Sequence, residues 1–546
     1  PAASEFAMNL SNPALSRRAF LGGTLAAGAA LALEAGPAGT GGTLRLEEAT
    51  LDELRLALEG RRTTSRDLAA RYLARIESLD RRGPRLGSVI ETNPDVFALA
   101  ESLDREQAEG RSRGVLHGLP ILVKDNLDTA DRMKTTAGSL ALADAPAPAR
   151  DAFVVQRLRE SGALLLGKTN LSEWANFRST RSISGWSGRG GQTRNPHALD
   201  RSPSGSSSGS AAAVAAGLCA GAIGTETDGS IVSPASSCGI VGLKPTLGLV
   251  SRSGIIPLAH SQDTAGPMTR TVRDAALLLG VLAGADPRDR ATEEADRNLG
   301  RDYTRFLDAD GLKGARLGFL ADLRGRHPGV DRVMVEALAV LRRGGATVVE
   351  VSLSSRAYDA AELEVLLFEF KADLNAYLQA RGGAVKDLAG LVAFNTAHED
   401  QELPLFGQEL LEQAQAKGTL ADPACLAALE ACRAARRDLV ALCDGQRLDA
   451  LIGPTSGPAW LIDPVNGDAS SGLSASSFAA VGGCPHLTVP MGFVFGLPAG
   501  LSFFGRPWDE GRLLRLGYAY EQASRARRVP RFAPSATVPG LNGPRG

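Results

Sequence analysis

The sequence lacks the residue clusters that hold metals and nucleotide cofactors. Its six histidines occur singly, without an H-E-x-x-H motif, and its six cysteines include no C-x-x-C pair. A zinc hydrolase takes its ligands from such clusters, so this class is excluded. No G-x-G-x-x-G motif follows a strand-like segment, so a nucleotide cofactor is not indicated. We therefore expect an activity that uses no cofactor and no metal.

The chain also lacks an excess of charge of either sign. Its net charge over 546 residues is −1, which gives no long-range attraction for nucleic acid or for anionic membranes. We therefore expect its partners to be small molecules or short peptides, with no nucleic acid and no stable membrane insertion. A monomer or homodimer is expected as its state.

The cysteines leave one question open. Cys219, Cys238 and Cys484 stand in small apolar surroundings and are expected to be buried and inert. Cys425, Cys432 and Cys443 are close enough in sequence that a disulfide among them remains open.

The N-terminal region has the pattern of an export signal. Residues 1–7 (PAASEFA) are typical of a vector-derived sequence, and Arg17 and Arg18 precede an apolar Ala/Gly-rich run. That run is shorter than the ~20 residues of a membrane span. Paired arginines are typical of a twin-arginine signal, and Ala30–Ala32 suits cleavage. We expect an export signal over residues 8–40 and a periplasmic or secreted protein.

Segments of strand and helix character alternate along the rest of the chain. Short apolar runs such as 118–123 and 163–169 predict strands, whereas the helical period of 51–80 and 330–343 predicts helices, which dominate from 360 to 442. No linker divides this region. We therefore expect a single large α/β domain with a mixed β-sheet core covered by helices on both faces. It spans residues 45–530, and a flexible Pro/Gly-rich tail follows over 531–546.

Two serine-containing turns and one lysine point to hydrolytic chemistry. The loop S-G-S-S-S-G-S, from Ser204 to Ser210, is called the serine loop below and lets the backbone bend sharply around Ser206. A second small-residue turn ends at Ser230, and the apolar segment GLPILV leads directly into Lys124. Two serines on tight turns and a lysine at a strand end suggest a hydrolase whose base is lysine rather than histidine.

These motifs resemble those of the amidase signature family. The family pattern, a Gly/Ser-rich loop followed by G-T-x-T-x-G-S-I and by C-G-x-V-G-L-K-P-T, is met from Pro203 to Thr246. The resemblance extends from about Leu51 to about Gly505 and implies an α/β fold. Within the family, SEWANFRS (172–179) and SQDTAGPM (261–268) are similar to the peptide-amidase subgroup, whose members remove the C-terminal amide of peptides. Asp228 and Glu226 depart from the commoner Gly and Asp of the family but are typical of this subgroup.

The resemblance implies a role for each site residue. Ser230 is expected to be the nucleophile, Ser206 a proton relay after a cis peptide bond, and Lys124 the base. A lysine has an ordinary pKa of ~10.4, so burial must lower that pKa before the side chain can accept a proton at pH 7. The expected oxyanion donors are the backbone N–H groups of Thr227, Asp228, Gly229 and Ser230.

Further residues are expected around the substrate. Ser207 and Asp228 are predicted to contact it, and Asp228 is predicted either to bind its backbone or to repel a carboxylate product. Three aromatic residues are candidate walls of the acyl pocket, although aromatic residues more often belong to a core: Trp174, Phe177 and Trp186. Three polar residues are expected to support the site, with capping or turn roles equally open: Asp125, Asn126 and Asp263.

Two rival motifs overlap these residues. G-x-S-x-G at 205–209 matches a nucleophile elbow, but it would need a histidine such as His486 downstream. GALLLGKT at 162–169 matches a phosphate-binding loop, but its Ala-Leu-Leu-Leu centre is typical of a strand, so Lys168 is expected either to be structural or to support the site without touching substrate.

The sequence therefore predicts a serine hydrolase that cleaves linear carboxamides through an acyl-enzyme, with C-terminal peptide amides as the leading substrates. An aryl acylamidase or a urethanase with the same triad is the alternative. Two others remain: the glutaminase subunit of a tRNA-linked amidotransferase, against which the export signal argues, and a binding protein without catalysis.

Overall fold

A mixed sheet runs through the described part of the chain, which comprises residues 44–298, 302–355 and 358–538 of the computed structural model. The strands are β1 (Val89–Thr92), β2 (Pro120–Lys124), β3 (Leu164–Thr169), β4 (Trp186–Ser187), β5 (Gly191–Gln192), β6 (Gly221–Glu226), β7 (Val241–Lys244), β8 (Thr264–Thr269), β9 (Arg316–Leu320), β10 (Thr347–Val351), β11 (Ala450–Pro454), β12 (His486–Val494) and β13 (Leu497–Phe504). Within these residues 11 strands form one sheet in the order β1-β3-β2-β6-β8-β7-β12-β13-β11-β9-β10, and β4 pairs with β5.

Helices flank this sheet. They are α1 (Leu51–Glu59), α2 (Ser65–Arg75), α3 (Val96–Ala108), α4 (Phe153–Glu160), α5 (Ser208–Ala215), α6 (Val232–Cys238), α7 (Val272–Leu282), α8 (Ala295–Asn298), α9 (Pro328–Arg343), α10 (Asp359–Arg381), α11 (Leu388–Ala397), α12 (Glu399–Glu402), α13 (Glu409–Gln415), α14 (Pro423–Gly445), α15 (Ser476–Ala480) and α16 (Glu510–Ser524). The predicted single large α/β domain with a mixed sheet is confirmed.

Strand β2 is buried along its whole length between two parallel neighbours. It pairs with β3 on one side and with β6 on the other, and all five of its residues are buried. A strand covered on both faces reads as a continuous apolar run rather than an alternating one. This explains the sequence PILV before Lys124, and it carries the lysine into the interior.

Side-chain caps start the first two helices. Thr50 and Glu53 form a reciprocal capping box at α1, and the Thr64 side chain accepts the backbone N–H of Asp67 at α2. Such caps satisfy backbone donors that have no partner within the helix. Both helices therefore begin at a threonine cap.

A layer of helices packs over the segment that follows β3. Residues of α10, α11 and α13, among them Phe370, Leu388 and Leu411, form one apolar cluster with Trp174 and Phe177. Burial of this cluster holds α10 close to the segment of chain that leads into the serine loop.

Strands β6 and β8 were not predicted from the sequence. Their sequences, GAIGTE and TAGPMT, are rich in Gly, Ala and Thr. They carry no alternation of large apolar residues, which is the usual strand signal. Both are nevertheless completely buried in the sheet.

The structure describes less of the N-terminal end of the chain than of the C-terminal end. The predicted vector-derived residues 1–7 and the predicted export signal at 8–40 lie outside the described residues. In the predicted tail, the described residues reach 538, where Phe532 N–H donates to Pro196 O and Thr537 N–H donates to Phe495 O. Residues 539–546 lie outside the described part.

All six cysteines are free thiols and are buried. Cys425, Cys432 and Cys443 all lie on α14 without a disulfide, which answers the question left open by their spacing.

Among the helices of the described residues, none combines the length and the apolar character needed to cross a membrane.

Candidate active site

Lys124 is completely buried at the end of β2. Its Nζ lies 2.8 Å from Ser206 Oγ and 2.8 Å from Thr225 Oγ1, and the Thr225 carbonyl oxygen is 3.3 Å away. Burial lowers the pKa of Lys124 to about 7, although the nearby Asp263 and Glu226 carboxylates oppose this effect. A lysine with this pKa is available as a neutral base near neutral pH.

The Gly/Ser loop presents Ser206 to this lysine just before α5. The Gly205–Ser206 peptide bond is cis, and Ser206 is fully buried. Its carbonyl accepts the backbone N–H of Ser172 at 3.1 Å. A Cβ atom on Gly205 would lie 2.2 Å from Ser172 Oγ, so the close packing of these two segments requires glycine there.

Ser230 lies on the turn that follows β6, residues 227–230, which we call the oxyanion turn. Its carbonyl accepts the backbone N–H of Ser207 at 3.1 Å, which joins the turn to the serine loop. Gly229 has φ +75°, a conformation that favours glycine. Within the described residues, no backbone or side-chain group accepts a hydrogen bond from the N–H of Asp228, Gly229 or Ser230. Open N–H groups beside a serine are the arrangement required of an oxyanion hole.

Thr225, near the end of β6, connects these parts. Its Oγ1 lies 3.0 Å from Asn126 Nδ2 as well as next to Lys124 Nζ. Ser207 Oγ donates to the Thr225 carbonyl at 3.0 Å and accepts the Thr225 N–H at 3.2 Å. The Ser207 hydroxyl thus ties the serine loop to β6, and its predicted contact with substrate stays a prediction. Sequence reasoning missed Thr225 because a threonine in a strand carries no further signal.

Two carboxylates hold the oxyanion turn in place. Glu226 Oε2 accepts the backbone N–H groups of Ile231 and Val232 at 2.8 and 3.0 Å. On the other side, Thr227 Oγ1 donates to Asp263 Oδ1 at 2.6 Å. Burial raises the pKa of Asp263 to about 6. Asn126 thus contacts Thr225 and Asp263 contacts the oxyanion turn. Asp263 also has a turn role, because its Oδ2 accepts the backbone N–H groups of Leu258 and Ala259.

Asp228 turns its side chain towards α15. Ser477 Oγ donates to Asp228 Oδ2 at 2.5 Å, and burial raises the pKa of the Asp228 carboxyl. Asp228 is therefore a partly buried carboxyl on the oxyanion turn that is held by α15, and its predicted contact with substrate stays a prediction.

The three aromatic residues predicted to line the acyl pocket are all buried. Phe177 packs against Phe370 with ring centroids 5.3 Å apart, and Trp174 belongs to the same cluster. Trp186 meets Phe406 edge-on at 5.2 Å. These contacts are those of core side chains, and contact with substrate stays a prediction for all three.

Lys168 and Asp125 have structural partners. Lys168 Nζ donates to the Leu127 carbonyl at 2.7 Å and to Thr135 Oγ1 at 2.8 Å, from a buried position on β3. This confirms the structural reading of the GALLLGKT motif. Asp125 Oδ2 lies 3.3 Å from Arg189 Nη1 and accepts a hydrogen bond from Thr136 Oγ1, so its partners are not the catalytic candidates.

The nucleophile-elbow reading finds no support. His486 Nε2 lies 2.6 Å from Ser502 Oγ, and burial lowers the pKa of His486 to about 3. The Ser207 hydroxyl is instead bonded to Thr225.

One group among the described residues offers ligand atoms to a metal ion: His260, Glu369 and Asp373. Its imidazole nitrogens face different carboxylates, with Nδ1 2.8 Å from Asp373 Oδ2 and Nε2 3.3 Å from Glu369 Oε1. The imidazole thus lies between two carboxylates of α10, an arrangement that favours its protonated form.

Comparisons with known proteins agree with this fold. The profile of the Amidase family matches residues 67–514. A probable amidase of Arabidopsis thaliana is 39% identical over 502 residues, which cover 90% of this chain and 93% of the plant protein. The crystal structure of the native peptide amidase from Stenotrophomonas maltophilia is similar with a TM-score of 0.83 and 52% identity, covering 89% of this chain and 99% of that chain. A bacterial aryl acylamidase matches with a TM-score of 0.74 and 26% identity, covering 87% of this chain and 96% of that chain.

The fold and its relatives define a hydrolase of linear amides. More specifically, the chain belongs to the amidase signature family.

Proposed function

We propose that this amidase hydrolyses the C-terminal carboxamide of peptides through an acyl-enzyme on Ser230. The observation that carries the proposal is the buried contact of 2.8 Å between Lys124 Nζ and Ser206 Oγ, next to a turn with open N–H groups. The 52% identity to the Stenotrophomonas peptide amidase supports the substrate class.

In this mechanism, neutral Lys124 takes the proton of Ser206 Oγ while Ser206 takes the proton of Ser230 Oγ. Ser230 attacks the amide carbon, and the N–H groups of the oxyanion turn stabilise the oxyanion. The proton on Lys124 returns through Ser206 to the leaving nitrogen as the C–N bond breaks, and ammonia departs. Water then attacks the ester by the same relay, which yields the acid and free Ser230.

An aryl acylamidase or a urethanase with the same triad is the second candidate. The solved aryl acylamidase shares the fold at 26% identity, so the fold alone does not separate the two activities. The chemistry on the acyl side is common to both, and the leaving-group side of the pocket decides between them.

Export belongs to the same proposal. Arg17 and Arg18 before an apolar run support a twin-arginine signal, and the enzyme would then act in the periplasm or outside the cell. Cell fractionation tests the proposed export. We expect the processed protein in the periplasmic fraction and its retention in the cytoplasm after Arg17→Lys/Arg18→Lys.

The substrate class is tested by product analysis. An N-acetylated dipeptide amide, its anilide and a matching carbamate are incubated separately with wild type, Ser230→Ala and Ser233→Ala. Ser233 is a matched control, a partly buried serine three residues further along the chain. We expect wild type and Ser233→Ala to release ammonia from the peptide amide faster than they cleave the other substrates, and Ser230→Ala to lose at least about 10³-fold in rate.

Faster cleavage of the anilide or the carbamate would move the function to the second candidate. Undiminished turnover by Ser230→Ala would remove Ser230 as the nucleophile.

A further inference from the structure

The Asp228 carboxyl has one oxygen without a donor. Ser477 Oγ serves Oδ2, but Oδ1 is buried and, among the described residues, receives no hydrogen bond. A buried carboxylate oxygen without a donor is costly, so it requires a proton, a ligand or another partner.

Glu362 of α10 is the candidate partner for Asp228 Oδ1. Gln262 Nε2 lies 3.3 Å from the Thr227 carbonyl and 2.8 Å from Glu362 Oε1, so one amide group fixes Glu362 beside the oxyanion turn. The Glu362 carboxyl is close enough to Asp228 that each group changes the pKa of the other, and a hydrogen bond between them would give Asp228 Oδ1 its missing partner. Two carboxyl groups form such a bond only when one of them holds a proton, so the two groups titrate as a pair.

The surroundings favour a single proton on the pair. Burial, followed by the charge of Asp228, raises the pKa of Glu362 to about 8, and burial raises the pKa of Asp228. Other charged groups that act on the pair are Asp359 of α10, Lys244 of β7 and Glu226 of β6. Because two adjacent buried carboxyls resist a second ionisation, the pair holds one proton and one negative charge in preference to two charges.

We propose that Asp228 and Glu362 form a proton-sharing carboxyl pair that makes this amidase selective for uncharged carboxamides and expels the carboxylate product. The inference rests on the proposed function, because substrate and product then differ at the position next to Ser230. The carboxamide is neutral, whereas the acid formed from it is an anion at neutral pH. A fixed negative charge in a partly buried site repels that anion and leaves the amide unaffected.

The role of the carboxyl pair is tested by measuring ligand binding to the Ser230→Ala variant, in which turnover is removed. The probes are an N-acetylated dipeptide amide and the same dipeptide as the free acid, and the readout is the dissociation constant of each by calorimetry at pH 7. We expect the amide to bind at least about tenfold tighter than the acid. Adding Asp228→Asn and Glu362→Gln together removes the charge and should bring this ratio close to one by strengthening acid binding. Glu362→Gln alone leaves one carboxylate, so it should keep the ratio.

A second arm uses pH and does not depend on the folding of the triple variant. Between pH 7 and pH 9 the pair loses its shared proton, so the preference for amide over acid should grow in Ser230→Ala. The growth should be smaller when Glu362→Gln is added. Lys124 titrates in the same range in both proteins, so the difference between them reports the pair.

The outcomes separate the two proposals. If Ser230→Ala does not bind the amide at all, the proposed function fails and this inference fails with it. If the amide binds but the acid binds equally well, or the neutral variant keeps the full preference, or the pH effect is the same with and without Glu362, the carboxyl pair alone is refuted.

Discussion

At the scale of single residues, the chemistry depends on one buried lysine. Lys124 has no side-chain exposure, and its polar contacts are neutral oxygens of Ser206 and Thr225. Because no carboxylate lies within hydrogen-bonding distance in the described residues, desolvation dominates and lowers the lysine pKa to about 7. Burial rather than a neighbouring charge therefore prepares the base.

The first prediction concerns the pH dependence of catalysis. The neutral amine is the active form, so kcat/KM for a peptide amide should fall as the pH drops below about 7 and level off above it. The profile is measured from pH 5 to pH 9 with an uncharged, N-acetylated substrate. A rate that stays constant down to pH 5 would show that the base is not Lys124.

The second prediction concerns stability. The pKa of Lys124 is about 7 in the folded protein and ~10.4 in the unfolded chain. Between these values the unfolded state binds more protons, so the lysine destabilises the fold most at the low end of this range. Lys124→Met should abolish activity yet raise Tm, by more at pH 7 than at pH 10. The measurement is thermal unfolding at both pH values, and a lower Tm at pH 7 would contradict the account.

The sequence predicts some site residues and misses others for physical reasons. Lys124, Ser206 and Ser230 stand in motifs whose spacing is informative. Thr225 and Gln262 act through contacts made across the fold, and no local pattern in the sequence indicates such contacts. Glu362 lies on a helix more than 100 residues downstream of the turn it contacts, which sequence spacing alone does not reveal.

At the scale of elements, the serine loop and the segment after β3 are packed tightly against each other. The position for a Cβ on Gly205 lies 2.2 Å from Ser172 Oγ but 3.4 Å from Ser172 Cβ. The Ser172 hydroxyl is therefore the main obstacle, and Ser208 Oγ is a second close neighbour at 3.1 Å.

The third prediction uses that geometry. Gly205→Ala should reduce both Tm and activity, because the new methyl group collides with the Ser172 hydroxyl. Ser172→Ala removes the hydroxyl, so the double variant should recover part of the loss despite the broken bond from Gly185 N–H to Ser172 Oγ. The test is a double-mutant cycle in Tm and kcat/KM. Strictly additive losses would show that the two positions do not interact.

His260 links α10 to the loop that contains Asp263. Its Nδ1 lies 2.8 Å from Asp373 Oδ2 and its Nε2 3.3 Å from Glu369 Oε1. The bond to Asp373, together with the charges of both carboxylates, raises the pKa of His260.

The fourth prediction follows from the contacts of His260 with Asp373 and Glu369. A raised folded-state pKa gives stability that is fully present below the unfolded pKa of ~6.5 and is lost as pH rises through the folded pKa. The Tm difference between wild type and His260→Gln should therefore be larger at pH 6 than at pH 9. The effect should be small, because the side chain is 46% exposed and solvent screens the ion pair. A Tm difference that grows with pH would contradict the stabilising ion pairs of His260.

Element prediction succeeded where hydrophobic patterns are strong. β2, β3 and α9 carry long apolar runs or a clear helical period. β6 and β8 are built from Gly, Ala and Thr because loops and other strands approach them closely. A Cβ on Gly224 would lie 2.8 Å from Ser207 Oγ, for example. The close packing that builds the site therefore removes the signal by which these strands are recognised.

At the scale of the whole molecule, all candidate catalytic residues lie in the unit that begins at Arg45. The fifth prediction is that a protein lacking residues 1–43 keeps the Tm and the kcat/KM of the full chain. Paired unfolding and kinetic measurements check this. A large loss of either would show that the N-terminal residues take part in the fold or in the site.

The most direct test of the central claim is to trap the acyl-enzyme. A peptide anilide or activated ester is mixed with wild type, and the reaction is quenched in acid within milliseconds to seconds. The quenched protein is then digested with a protease, and its peptides are sequenced by mass spectrometry. The account predicts an added acyl mass on Ser230, absent from Ser230→Ala and strongly reduced in Lys124→Met. An acyl group on another residue, such as Ser207, or turnover without any acyl-enzyme under conditions where Ser230→Ala is inactive, would contradict it.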